Sequence, residues 1–220
     1  MSVQLLITHD LPNLSLTDSG QKALRLMNEY RVFHLPLVQQ DNYLAIISED
    51  DILDWDTPEE PLSLAEFINF RPAVFSNMHP FEAMKVVKEN NLSVVPVLNA
   101  QNHFEGVVTS EGLFSYFADT IGIKELGGII VLEMEPRNYS LSEISRICES
   151  NDVSILSLFI KSKDESGLQL VTLKTNRKDI QSLISTFERY NYTIAEIYSV
   201  ENSVNNLQQN YDALMHFINL

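Results

Sequence analysis

Basic residues are scarce in this 220-residue chain: fifteen Lys and Arg stand against thirty Asp and Glu, a formal charge of −15. A field of that sign repels phosphate backbones and anionic membrane surfaces, so nucleic acid and membranes are not expected partners. Cysteine is nearly absent. Cys148 has no second cysteine for an internal disulfide, and it forms no cluster of metal-ligand spacing with His9, His34, His79, His103 or His216. A cytoplasmic location and no bound metal are expected. No apolar run approaches the roughly 20 residues of a membrane helix, and the opening MSVQLLITHD has no basic leader, so neither insertion nor export is expected.

What the chain does have is 45% hydrophobic residues, enough for one large or two modest cores. It also has an internal repeat with a spacing near 60. QKALRLMNEYRVFHLPLV, residues 21–38, reads onto FEAMKVVKENNLSVVPVL, residues 81–98, with Ala23 over Ala83 and Pro36 over Pro96. One residue out of step, AIISEDDIL then matches GVVTSEGLF. Each copy predicts helix, strand, strand, helix: apolar residues at helical spacing, then β-branched runs at 32–38 and 93–98, then strands at 43–48 and 103–109. Short helices follow near Glu49 and Ser110. Pro36 and Pro96 imply ladder gaps or edge positions, and TPEEPLS reads as a turn between the copies. Phe67, Phe70, Phe75 and Phe81 have no interleaved basic residues beyond Arg71, so they read as core rather than a base-stacking platform. Asp56, Glu59 and Glu60 read as a solvated acidic loop.

After Gly127 and Gly128 the pattern changes to strand 129–134, a helix opened by Ser140 with Glu143 three residues on, strand 153–161, a turn at Gly167 and strand 168–174. A helix with Ile180, Leu183, Ile184 and Phe187 on one face and a strand 193–200 complete a βαββαβ order. The first of these helices puts Leu141, Ile144, Ile147 and Cys148 on its apolar side, which makes Cys148 a buried, inert thiol. Residues 203–220 place Leu207, Tyr211, Leu214, Met215 and Ile218 on one helical face, an amphipathic C-terminal helix expected to dock on this chain or a partner.

The HLPLV and SVVPVL strands, with the helix start of a small residue, two apolar residues, Ser or Thr and then an acid, resemble CBS repeats over about half the chain. The βαββαβ unit resembles an ACT domain. Together they are similar to the CBS–ACT proteins related to bacterial acetoin-utilization protein B. The resemblance implies an α+β (mixed α/β) fold: CBS repeats at 1–60 and 61–122 packed with pseudo-twofold symmetry as a Bateman module, a ferredoxin-like ACT domain at 127–201, and the helix at 203–220. ACT domains that bind amino acids usually carry a glycine between the first strand and first helix. EPRNYS has none there, which argues against an amino-acid ligand.

In CBS pairs that take adenosyl ligands, Ser or Thr followed three residues later by Asp holds the ribose hydroxyls, and Ser48 and Asp51 match that spacing. The competing assignment makes Ser48 a helix cap and Asp51 one of several acids at the positive end of the helix. In the second copy Thr109 is followed at that spacing by Gly112, and Glu111 stands one helical step, about 100°, off the required direction. That cleft is expected to have lost ribose chelation. Arg31 and His34 lie where some nucleotide-binding members place phosphate contacts, although a single His in a strand more often packs by hydrogen bonding. Glu49 and Asp50 oppose a bare polyphosphate.

The expected function is a non-catalytic regulator sensing AMP, ADP, ATP or S-adenosylmethionine as an effector, with no required cofactor, acting through conformational change or partner binding as a homodimer. The alternative is a ligand-free assembly module built on the CBS and ACT surfaces. Neither needs a nucleophile and base constellation, and the sequence offers none.

Overall fold

The computed structural model describes residues 2–163 and 167–199. The chain divides into two compact units, Met1–Phe117 and Ala118–Leu220. The amphipathic stretch at 203–220 lies outside the described residues.

In the first unit, α1 (Gly20–Tyr30) begins where the Ser19 side chain accepts a bond from the Lys22 N–H at 3.2 Å. It stops at Arg31, a left-handed cap with φ 55° whose N–H donates to Asn28 O and Met27 O. An antiparallel hairpin of β1 (His34–Gln39) and β2 (Asn42–Ser48) follows, then the short α2 (Glu49–Leu53). The second copy repeats these elements: β3 (Val74–Phe75), α3 (Pro80–Asn90), β4 (Val94–Leu98), β5 (Phe104–Thr109) and α4 (Ser110–Thr120). His79 caps α3 as Ser19 caps α1, and Asn91 closes α3 in the left-handed region, as Arg31 closes α1. Leu14 bridges in parallel to Leu37, and Val74 pairs in parallel with Val97. The repeat seen in the sequence therefore extends to caps and bridges.

The two copies exchange segments. Residues ahead of the first copy attach to the second: the Val3 N–H donates to Met78 O and the Thr8 N–H to Val107 O, each at 2.9 Å. The linker returns the favour to the first copy, where the Ile46 N–H donates to Phe70 O at 3.0 Å and the Leu62 N–H to Asp18 O at 2.8 Å. One core results, in which Ala23, Leu35 and Ile47 share a cluster with Ala83, Val95 and Val108, all fully buried. This reciprocity is the expected pseudo-twofold packing.

Some expectations shift. The strands begin at His34 and Val94 rather than two and one residues earlier. β4 is the middle strand of its sheet, so Pro96 stands at no edge; the register slips one residue beyond it, between Val97 and Leu98. The aromatic series is not all core. Phe67 packs edge-on to Trp55 at 5.6 Å, but Phe70 and Phe81 are 44% and 49% exposed, because the linker and the start of α3 run along the surface. Asp56, Glu59 and Glu60 are exposed.

The second unit runs β6 (Ile129–Met134), α5 (Leu141–Ser150), β7 (Ile155–Lys163), β8 (Leu168–Thr175), α6 (Gln181–Arg189) and β9 (Thr193–Tyr198). Its sheet order is β7-β8-β6-β9, every pair antiparallel, which is the ferredoxin-like arrangement. Ile130, Leu132, Ile144, Leu173, Leu183 and Phe187 are fully buried between the sheet and its helices. Ile180 caps α6 rather than lying inside it, and Leu141 is half exposed, so the apolar side of α5 is Ile144, Ile147 and Cys148. Burial, with Glu149 nearby, pushes the Cys148 thiol up to about 11, which keeps it protonated and inert. Ser140 accepts from the Glu143 N–H at 3.3 Å, yet the Glu143 carboxylate does not close a capping box, because it accepts the Tyr192 hydroxyl at 2.8 Å.

Entry to β6 requires glycine. Thr175, fully buried, donates from Oγ1 to Gly128 O at 3.1 Å and accepts the Gly128 N–H at 3.2 Å. A Cβ at Gly127 would stand 1.6 Å from Thr175 O, a backbone atom that cannot step aside. Gly127→Ala is expected to destabilise the second unit by about 1–3 kcal/mol or more, measured as an earlier transition in urea.

Candidate ligand-binding cleft

The five residues singled out for ligand contact fall into two groups. His34, Ser48 and Asp51 gather at one end of the β1–β2 hairpin, where His34 and Ser48 are register partners. Ser48 and Asp51 engage each other. Ser48 Oγ donates to Asp51 Oδ2 at 2.6 Å, the Ser48 N–H reaches the same oxygen at 3.0 Å, and the Asp51 N–H donates to Ser48 Oγ at 3.0 Å. That is a complete capping box opening α2, the arrangement the competing assignment expects.

His34 is half-buried. Its Nδ1 accepts the Ser93 N–H at 3.2 Å and lies 3.1 Å from Ser93 Oγ, while Ser93 Oγ accepts the Phe33 N–H at 3.0 Å. A neutral ring with its proton on Nε2 satisfies both contacts at Nδ1. His34 thus ties the two copies together.

Arg31 and Thr109 are the second group, and they share a cavity of about 630 Å³. Four stretches of chain build it: Thr8, Asp10 and Leu11 from the opening segment, 30–33 at the end of α1, 91–93 after α3, and Thr109, Ser110 and Glu111 where β5 enters α4. Both left-handed caps, Arg31 and Asn91, stand on its wall, and so does Ser93. His34, Ser48 and Asp51 are not among the lining residues. Glu111, expected to stand one helical step off the ribose direction, is also a lining residue. Thr109 Oγ1 accepts the Gly112 N–H at 2.9 Å, capping α4 as Ser48 caps α2. Asp10, Tyr30, Asn91 and Glu111 were missed as lining residues. Asn91 left a signal, since Asn favours the left-handed cap and sits one repeat from Arg31. Asp10 left none, because only the exchange of segments brings it there.

The family description "CBS domain" matches residues 3–57 and 66–119. The N-terminal half of this chain is a tandem pair of CBS domains. A curated relative of the pair, homoserine O-acetyltransferase of Methanocorpusculum labreanum, is 27% identical over 118 residues, 51% of this chain. The chain covers 23% of that protein, so its activity does not carry over. Among solved structures, a CBS domain pair/ACT domain protein from Thermotoga maritima is 17% identical with a TM-score of 0.47, covering 54% of this chain and 98% of its own. A putative acetoin utilization protein from Vibrio cholerae is 19% identical with a TM-score of 0.49, covering 56% and 95%. CBSX2 in complex with AMP is 19% identical with a TM-score of 0.47, covering 56% and 98%. At these values no ligand or activity passes from those proteins to the CBS pair. Among its described residues no helix is long and apolar enough to cross a membrane.

Burial lowers the pKa of His34 below 6.5, with Asp51 and Asp50 partly opposing the shift. The folded CBS pair therefore favours the neutral ring, and the unfolded chain takes up the proton first as pH falls. This contribution to stability is present above about pH 6.5 and is lost as pH drops from there through the folded-state pKa. In urea unfolding followed from about pH 7.5 to 5.5, His34→Asn is expected to show a shallower loss of stability than the parent.

Proposed function

We propose that the CBS pair is a non-catalytic sensor that takes one adenosyl compound per chain in the cleft beside Thr109. The observation that carries this is the composition of the wall, which draws on both repeats and on the exchanged opening segment. A ligand seated there touches every part whose relative placement defines the pair, so occupancy biases that placement. Arg31 supplies the cation for a phosphate, and the Thr109 hydroxyl, whose oxygen accepts the Gly112 N–H, keeps its hydrogen to donate to a ribose or phosphate oxygen.

A second assignment places the ribose at Ser48 and Asp51, favoured by their spacing. There Asp51 Oδ2 already accepts two bonds from Ser48 in the capping box, so a ribose hydroxyl has to be taken by Oδ1. The ACT-like unit serves assembly rather than amino-acid sensing. Its own cleft, beside the EPRNYS loop, is lined by Glu133, Glu135 and Glu143, and the neighbouring cations Lys163, Arg137 and Arg146 are already engaged by these three carboxylates rather than held ready for an amino-acid carboxylate. Burial and the hydrogen bond to Glu143 push the Tyr192 hydroxyl up to about 12, which keeps it a donor to that carboxylate. The edge strand β7, with Ile160 48% exposed, supports pairing of two chains as a homodimer. Light scattering at micromolar concentration is expected to give twice the 25.1 kDa chain mass; a monomer mass would refute the dimer.

AMP, ADP, ATP with magnesium, and S-adenosylmethionine are the probes. At 100 times its dissociation constant a ligand stabilises the folded state by about 2.7 kcal/mol, a melting shift of roughly 5–10 °C for a chain of this size. Arg31→Ala and Thr109→Val are each expected to weaken binding about tenfold or more, with Asp51→Ala close to the parent. The reverse pattern moves the ligand to Ser48 and Asp51. No shift with any probe leaves the ligand-free assembly module.

A further inference from the structure

Among the described residues lining the cleft beside Thr109, Arg31 is the one cation and Asp10 and Glu111 are the two anions. Asp10 is held locally, its Oδ2 accepting from Thr8 Oγ1 at 3.3 Å while its own N–H donates back to Thr8 Oγ1 at 3.2 Å. Glu111 stands in the first turn of the eleven-residue α4, exposed to solvent. The amide end of a helix ordinarily favours an anion. Here a first-turn amide, that of Gly112, is already taken by Thr109 Oγ1, and Glu111 adds a negative charge to the same wall that carries Arg31.

We propose that Glu111 is a specificity-determining residue that limits the cleft to an adenosyl ligand with a single phosphate. The proposal rests on the cleft assignment above. One phosphate is balanced by Arg31. Each further phosphate adds about one negative charge that meets Glu111 and Asp10 with no second cation on the wall. At separations near 6 Å in a solvated cleft, one such repulsion weakens binding roughly three- to tenfold. Salt screens it, so the discrimination is largest at low ionic strength. Glu111 therefore acts by excluding the longer ligand rather than by holding the shorter one.

The test is calorimetric titration of the full chain with AMP, ADP and ATP, without magnesium, at low and at physiological ionic strength. The parent is expected to bind AMP most tightly. Glu111→Gln keeps the size of the side chain and removes its charge. It is expected to strengthen ATP at least threefold more than it strengthens AMP, with the difference shrinking in salt. An unchanged melting temperature of the unliganded variant shows that its fold is intact. If AMP binds and depends on Arg31, but the ATP to AMP ratio is the same in the parent and Glu111→Gln, or the parent already prefers ATP, the role of Glu111 is overturned and the cleft stands. If no nucleotide binds the parent, or Arg31→Ala binds as tightly, the cleft assignment fails and this inference falls with it.

Discussion

Everything in the first unit depends on an exchange of main-chain hydrogen bonds. The strands of one CBS copy are completed by a segment that belongs in sequence to the other: Thr8 against Val107, and Phe70 against Ile46. An unpaired strand edge beside an apolar face is costly in water, and a hairpin such as β1–β2 is marginal alone. The exchange removes both difficulties at once. It accounts for the single core shared by Ala23 and Ala83, and it carries Thr8 and Asp10 to a wall they could not otherwise reach.

Much of the fold was legible because it is written twice. Ala23 over Ala83 and Pro36 over Pro96 exposed the repeat, and a helical or alternating period then fixed the type of each element. The βαββαβ order of the second unit was legible for a similar reason, each element having one clearly apolar face. What escaped was set by long-range geometry. Nothing local in THDL says that it lies against GVVT. Phe70 and Phe81 are apolar in sequence and half exposed in the fold, because their backbone follows the surface.

The candidate site was legible by residue but not by grouping. Arg31 and Thr109 line one cavity, whereas Ser48 and Asp51 bond to each other outside its lining. Ser and Asp three residues apart at a helix start can either cap the helix or face a ligand, and the spacing alone does not separate the two uses. Glu111, set aside as a ribose acid because it stands one helical step off, is nonetheless a lining residue of the cleft. The acidic helix start is itself repeated: Asp50 in the first copy aligns with Glu111, on the cleft wall of the second.

Chain order gives the exchange a consequence for biosynthesis. Thr8 leaves the ribosome 99 residues before Val107, the residue that bonds to it. At about 5–20 residues per second the opening segment waits roughly 5–20 seconds for its place. Through that interval Val3, fully buried in the finished unit, has no completed core to enter. The nascent chain therefore passes through a stage at which it presents apolar surface to chaperones, and that stage ends only when β5 has been made.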